Sequence, residues 1–363
     1  MVERADQSAV QENGITVEDS SPKEPLWLLN VLRGISALLI VLYHYTTQYN
    51  LSIGHIQPYC VSVPWGCYAV DTFFLLSGFL TVYAYDEKTT AWGFIKKKFL
   101  RLYPMFWICM LVTTMYMMFL MPDRAPSIKQ FIINLTMVPS FFHVEAVDGV
   151  YWTLAKELMF YFGFAAIVLF GLIRRKNAAW LWTWMGLDIV CICIFPSRWI
   201  VSVLLIPEYL YAFLAGAAVF YLNRRESPKG KGVMIVFLAI CLVLCSKHRA
   251  WDGVLFFALS IFALILCSKE GINQKLKRKK WMFKPLLFLS EISYVLYLTH
   301  QFIGFGIIKK MEAQGLIAEV WVLLPVVHAI FLAAILHYGV EIRINQRIKI
   351  LAKRIKVTTF PVG

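Results

Sequence analysis

Charge is what this 363-residue sequence has least of: Asp, Glu, Lys and Arg together make up 16% of it, where a soluble domain carries about a quarter. With 59% hydrophobic residues and a mean hydropathy of +0.64, an ordinary soluble enzyme is excluded. A disordered chain is excluded too, because 15% aromatic content collapses in water. Acidic residues are the scarcer sign, 22 against 36 basic ones, for a formal charge of +14. A nucleic-acid-binding domain gathers its basic residues on a soluble face. Here they fall in short clusters between apolar runs, the pattern of a polytopic membrane protein, and no nucleic-acid partner is expected. CxxC, HExxH and glycine-rich phosphate loops are missing, so no metal site and no permanently bound cofactor is expected. Six of the eight cysteines lie in apolar runs, while Cys60 and Cys67 share one outer loop and are placed to form a disulfide in an oxidising compartment.

What is present is a series of apolar segments, each near the roughly 20 residues that cross a bilayer. Ten qualify or nearly so: 27–48, 66–86, 99–121, 151–173, 178–195, 207–222, 233–246, 252–267, 285–308 and 320–340. The stretch 128–142 is apolar but short, and reads as an interfacial or partly inserted loop. With the N-terminus inside, the inner segments hold 27 Lys and Arg and the outer loops 7. That asymmetry follows every alternation. The sequence therefore predicts an all-α polytopic membrane protein of about ten transmembrane helices, both termini cytoplasmic, in the plasma membrane. Residues 1–26 read as a disordered polar tail without a cleavable signal, 27–341 as the membrane domain, and 342–363 as a basic cytoplasmic tail whose amphipathic stretch suits an anionic leaflet.

An ionisable side chain in lipid costs several kcal/mol unless it meets a partner or a cavity, so each one is a candidate. Arg33 and His44 share the first span, eleven residues apart; three turns plus about 20° put both on one face, roughly 16 Å apart along the axis. A guanidinium toward the cytoplasm suits a phosphate-bearing donor. A neutral imidazole toward the outside suits general-base work on a hydroxyl. Asp71 in VDTFFLLSGFL and Glu157 in WTLAKELMFYF are both placed at the depth of His44, and either is a candidate to orient its imidazole. Ser77 and Gly78 permit close approach of a helix or ligand. Lys98 and Arg101, at i and i+3 in FIKKKFLRLYP, share a face and can clamp one anionic group. Tyr297 and His300 lie one turn apart and are placed to line the same cavity. Glu208, Glu291, His328, His337 and Glu341 lie near span ends, where snorkelling or capping accounts for them; Asp188 has no assigned role.

Taken together, these motifs resemble the acyltransferase 3 family of integral membrane acyltransferases, over about residues 27–345. Arg33-x10-His44 is the most specific element. Asp71 with FFLLSGFL, the run ending at Arg101 and Pro104, Trp152-Thr-Leu with Glu157, FLAGAAVFYL around Gly216, ISYVLYLTH ending at His300 and a terminal Glu341 follow in order. Two positions depart from the pattern: Lys98 stands where the family has arginine, and Glu341 lacks the proline that often follows. The resemblance implies transfer of an acyl group, commonly acetyl, from cytoplasmic acyl-coenzyme A to a hydroxyl of an extracytoplasmic acceptor such as a cell-surface polysaccharide or glycolipid sugar. It implies a member without the C-terminal hydrolase-like domain that some relatives carry. On that reading Arg33, Lys98 and Arg101 hold the donor, and His44 acts as a base or is itself acylated. Ten helices with buried charges also fit a proton-coupled transporter or flippase of a glycan precursor, but no internal duplication of the carrier kind is visible.

Overall fold

The computed structural model describes residues 26–57, 59–173, 177–194, 206–224 and 228–358. The tail read over residues 1–26 lies almost wholly outside them. Helices cover all ten apolar segments: α1 (Trp27–Ser52), α2 (Pro64–Tyr83), α3 (Ala91–Leu120), α4 (Gly149–Leu169), α5 (Ala179–Ile194), α6 (Pro207–Arg224), α7 (Pro228–Ser246), α8 (Trp251–Cys267), α9 (Lys284–Ala313) and α10 (Glu319–Leu351). No strand occurs among the described residues. Seven of these helices are long and apolar enough to cross a membrane, α9 together with the turn before it; α8 is apolar but shorter. The basic run FIKKKFLRLYP, expected just before a span, is itself helical and belongs to the first turns of α3, which Thr90 caps by accepting from Gly93 N–H. Residues 342–358, read as a tail, continue α10 as helix.

The stretch 128–142 does not cross the bundle. It forms a short helix, Ile128–Asn134, and a 3-10 turn, Pro139–Phe142. The Tyr103 hydroxyl and the Trp107 indole of α3 donate to its carbonyls, at Thr136 O (2.9 Å) and Leu135 O (2.9 Å). Cys60 and Cys67 are free thiols rather than a disulfide.

The tightest crossing explains the small residues noted in α2 and α6. A Cβ built on Gly78 falls 1.9 Å from Phe213 O, and one on Gly216 falls 1.9 Å from Leu75 O. The two backbones therefore touch at both points. Lipid tails are as apolar as Leu, so helices in a membrane gain by such close packing rather than by the hydrophobic effect. Around the crossing, Phe74, Phe160 and Phe213 stack face to face (4.7 Å and 4.3 Å between centroids), which seals α2, α4 and α6 into one wall. Gly216→Leu must separate the helices or force backbone shifts, a cost of about 1–3 kcal/mol or more. We expect lower membrane accumulation and a lower melting temperature in detergent; an unchanged melting curve contradicts this packing.

Candidate active site

The first half of the site is built where α1 changes pitch. Residues 44–48 form a π-turn, closed by Tyr49 N–H on His44 O. Such turns recur at functional sites because they break the regular ladder. The half-buried His44 ring places Nδ1 2.8 Å from Ile40 O and 3.2 Å from Nε2 of His300. His300, fully buried, has its own Nδ1 at 3.0 Å from Tyr297 O and 3.1 Å from Leu296 O. Carbonyl oxygens only accept, so both Nδ1 atoms carry hydrogen. The hydrogen-bond network thus assigns one neutral tautomer to each ring. His300 accepts at Nε2 from His44 Nδ1–H, and His44 Nε2 keeps an uncommitted lone pair.

His300 is held by an unusual number of side chains that grip the α9 backbone. The Tyr45 hydroxyl donates to His300 O (2.7 Å), the Tyr151 hydroxyl donates to Leu298 O (3.1 Å), and the buried Asp148 carboxylate accepts from Phe302 N–H (3.1 Å) and Val150 N–H (3.2 Å). Burial pushes the Asp148 carboxyl up to about 7, against the two N–H donors that favour its ionised form. Gly304 is required here: a Cβ would lie 2.2 Å from the Tyr45 ring. Tyr297, one turn below His300, shares a hydrogen bond with Thr153 (2.7 Å) and sits 5.7 Å from the His300 ring.

A second cluster lies nearer the end of the bundle that carries the basic loops. Ser77 Oγ donates to Glu157 Oε1 (2.6 Å), and the Tyr161 hydroxyl donates to the same oxygen. Lys98 Nζ sits 3.9 Å above the Tyr161 ring and donates to Thr81 Oγ1 (3.3 Å). Arg33 and Lys98 are each repelled by Arg101 and drawn to Glu157. Four helices, α1 to α4, thus gather Arg33 and Lys98 around Glu157, with Arg101, exposed on α3, within electrostatic reach of both cations. The surplus positive charge suits an anionic ligand, and the half-buried setting strengthens it relative to water.

The structure brings Arg33, Ser77, Lys98, Arg101 and Glu157 together, and it separately pairs His44 with His300 beside Tyr297. It does not bring Asp71 to His44. Both Asp71 oxygens are taken by Arg249, from Nε and Nη2 at 2.9 Å each, with the Asp71 side chain 1% exposed. Glu157 is likewise not beside His44 but in the cationic cluster. Equal depth along neighbouring helices says nothing about which way a side chain faces, and the side chain that meets the His44 ring is a second histidine rather than either carboxylate. Sequence reading missed Arg249, although Lys247 and Arg249 together in one short outer loop, on the side that carries few basic residues, are a signal. It also missed Tyr161, which stands at i+4 from Glu157.

A family model described as an acyltransferase domain matches residues 27–339. The chain belongs to the acyltransferase 3 family. "Protein 2 in picA locus" of Rhizobium radiobacter is 35% identical over 102 residues, 26% of this chain and 48% of that protein. The chain thus spans about half the length of the curated relative it matches. No solved structure matches. In this family member, Asp71 and Arg249 fasten the loop after α7 to the core of α2. Removing one partner leaves a buried charge unpaired, at a cost of about 3–5 kcal/mol. We expect Asp71→Ala and Arg249→Ala each to lower the detergent melting temperature sharply, and the double substitution to cost much less than their sum. Strict additivity contradicts the pairing.

Proposed function

We propose that this membrane acyltransferase moves an acetyl or other acyl group from cytoplasmic acyl-coenzyme A to a hydroxyl of an extracytoplasmic glycan, a cell-surface polysaccharide or glycolipid sugar. It acts in the plasma membrane as a ten-span protein with both ends inside. The 27-to-7 distribution of Lys and Arg supports that orientation, which turns the Arg33 cluster to the cytoplasm and His44 to the outer half. The observation that carries the reading is the uncommitted lone pair on His44 Nε2, on the same helix as Arg33 and about 16 Å above it.

In the mechanism, Arg33, Lys98 and Arg101 bind the phosphates of the donor. The pantetheine arm extends upward and presents its thioester near His44. His44 Nε2 takes the proton of the acceptor hydroxyl as its oxygen attacks the thioester carbonyl. A C–O bond forms, the C–S bond breaks, and the departing thiolate recovers the proton from His44. While protonated, the His44 ring keeps Nδ1–H on Ile40 O and on the bare Nε2 of His300, so the cation is stabilised without a carboxylate. Glu157, anchored by Ser77 and Tyr161, keeps the three cations from repelling one another apart.

With radiolabelled acetyl-coenzyme A supplied to membrane vesicles of the producing cells, label is expected to leave the donor and appear in the glycan fraction. A transporter or flippase leaves the donor intact. His44→Ala is expected to lose that transfer by about 10²–10⁴-fold while still accumulating in the membrane. Arg33→Ala is expected mainly to raise the KM for acetyl-coenzyme A. Normal acylation by His44→Ala contradicts the assignment.

A further inference from the structure

Beyond the rings of His44 and His300 lies a third histidine that the mechanism does not use. His55, on the loop after α1, and Glu312, at the end of α9, form a buried pair with side chains 0% and 5% exposed. His55 Nδ1 is 2.7 Å from Glu312 Oε1, and its Nε2 is 3.1 Å from Tyr45 O. Tyr49 donates to the other carboxylate oxygen (3.2 Å), Tyr59 stacks on the imidazole (3.9 Å), and Asn50 Oδ1 accepts from His55 N–H (3.1 Å).

Both atoms facing the ring nitrogens are oxygens that accept in their ordinary forms. An imidazole satisfies two acceptors only with hydrogen on both nitrogens, so the pair holds one proton more than a neutral imidazole facing a carboxylate would. The carbonyl it serves belongs to Tyr45, the second residue of the π-turn that His44 opens, and the Tyr45 hydroxyl is the group that grips His300 O. We propose that His55 and Glu312 are a positioning dyad for the reacting imidazole: their shared proton ties down Tyr45, and through it both the turn that aims His44 and the backbone that holds His300. This rests on the reading of His44 as the base.

A ring with a bare Nε2 turns a lone pair toward Tyr45 O, replacing attraction with repulsion. A glutamine at 312 keeps the hold. Its amide donates to a bare Nδ1, and the ring keeps Nε2–H on Tyr45 O. An alanine at 312 leaves Nδ1 without that partner.

The test is kcat for transfer from acetyl-coenzyme A in membrane vesicles, read against donor KM. His55→Ala and Glu312→Ala are each expected to lower kcat by about 10–100-fold without raising donor KM, since misplacement of about 1 Å costs on that order. Glu312→Gln is expected to keep native kcat. Native kcat in His55→Ala, or a Glu312→Gln as impaired as Glu312→Ala, overturns the dyad. Should His55→Ala fail to accumulate, Glu312→Ala against Glu312→Gln decides alone. Failure of the base reading shows itself separately, as an active His44→Ala.

Discussion

One hydrogen bond between two imidazoles organises the site. His44 Nδ1–H points to His300 Nε2 and Ile40 O, and that single commitment leaves Nε2 as the uncommitted nitrogen of His44. In the familiar relay a carboxylate sets the tautomer of the base and then stabilises its cation. In the mechanism we propose, a neutral ring does the first task, and a backbone carbonyl shares the second. A buried carboxylate beside His44 would favour its protonated form and so disarm it as a base at rest. The neutral partner avoids that, and gives up part of the stabilisation of the cation.

Fixing a tautomer through a ring on another helix requires that the second helix stand still. The bundle meets this by gripping the α9 backbone around His300 from three directions, with Tyr45, Tyr151 and Asp148. Two of those residues lead into α4, the helix that also delivers Glu157. The same short segment therefore braces the upper pair and supplies the carboxylate of the lower cluster. The α2–α6 crossing, closed at Gly78 and Gly216, keeps Ser77 facing α4 from the other side. Catalytic geometry and membrane packing are thus one set of contacts.

Much of this was legible in the chain. The helices follow from apolar length, and the candidates from the cost of an ionisable group in lipid, which makes Arg33, His44, Lys98 and Glu157 conspicuous. Gly78 of α2 read correctly as a close approach, while its counterpart Gly216 of α6 stood out only as part of the family pattern. What could not be read was partnership. His44 and His300 are 256 residues apart, Asp71 and Arg249 are 178 apart, and His55 and Glu312 are 257 apart. Local periodicity gives the depth of a side chain and its neighbours at i+3 and i+4, but not which helix it faces. Asp71 and Glu157 therefore both looked like candidates to orient His44, when Asp71 pairs with a loop arginine and Glu157 with Ser77 and Tyr161. The π-turn also escaped notice, since HYTTQ carries no proline or glycine to announce a break in pitch.

The most direct test of the central claim is the protonation pattern of the His44 ring itself. Protein labelled with nitrogen-15 at histidine and held in lipid nanodiscs, with His44→Gln used to assign the resonance, reports by magnetic resonance which ring nitrogen bears hydrogen at neutral pH. A neutral ring with hydrogen on Nδ1 and a bare Nε2 is expected. Hydrogen on Nε2, or a doubly protonated ring in the resting protein, contradicts it.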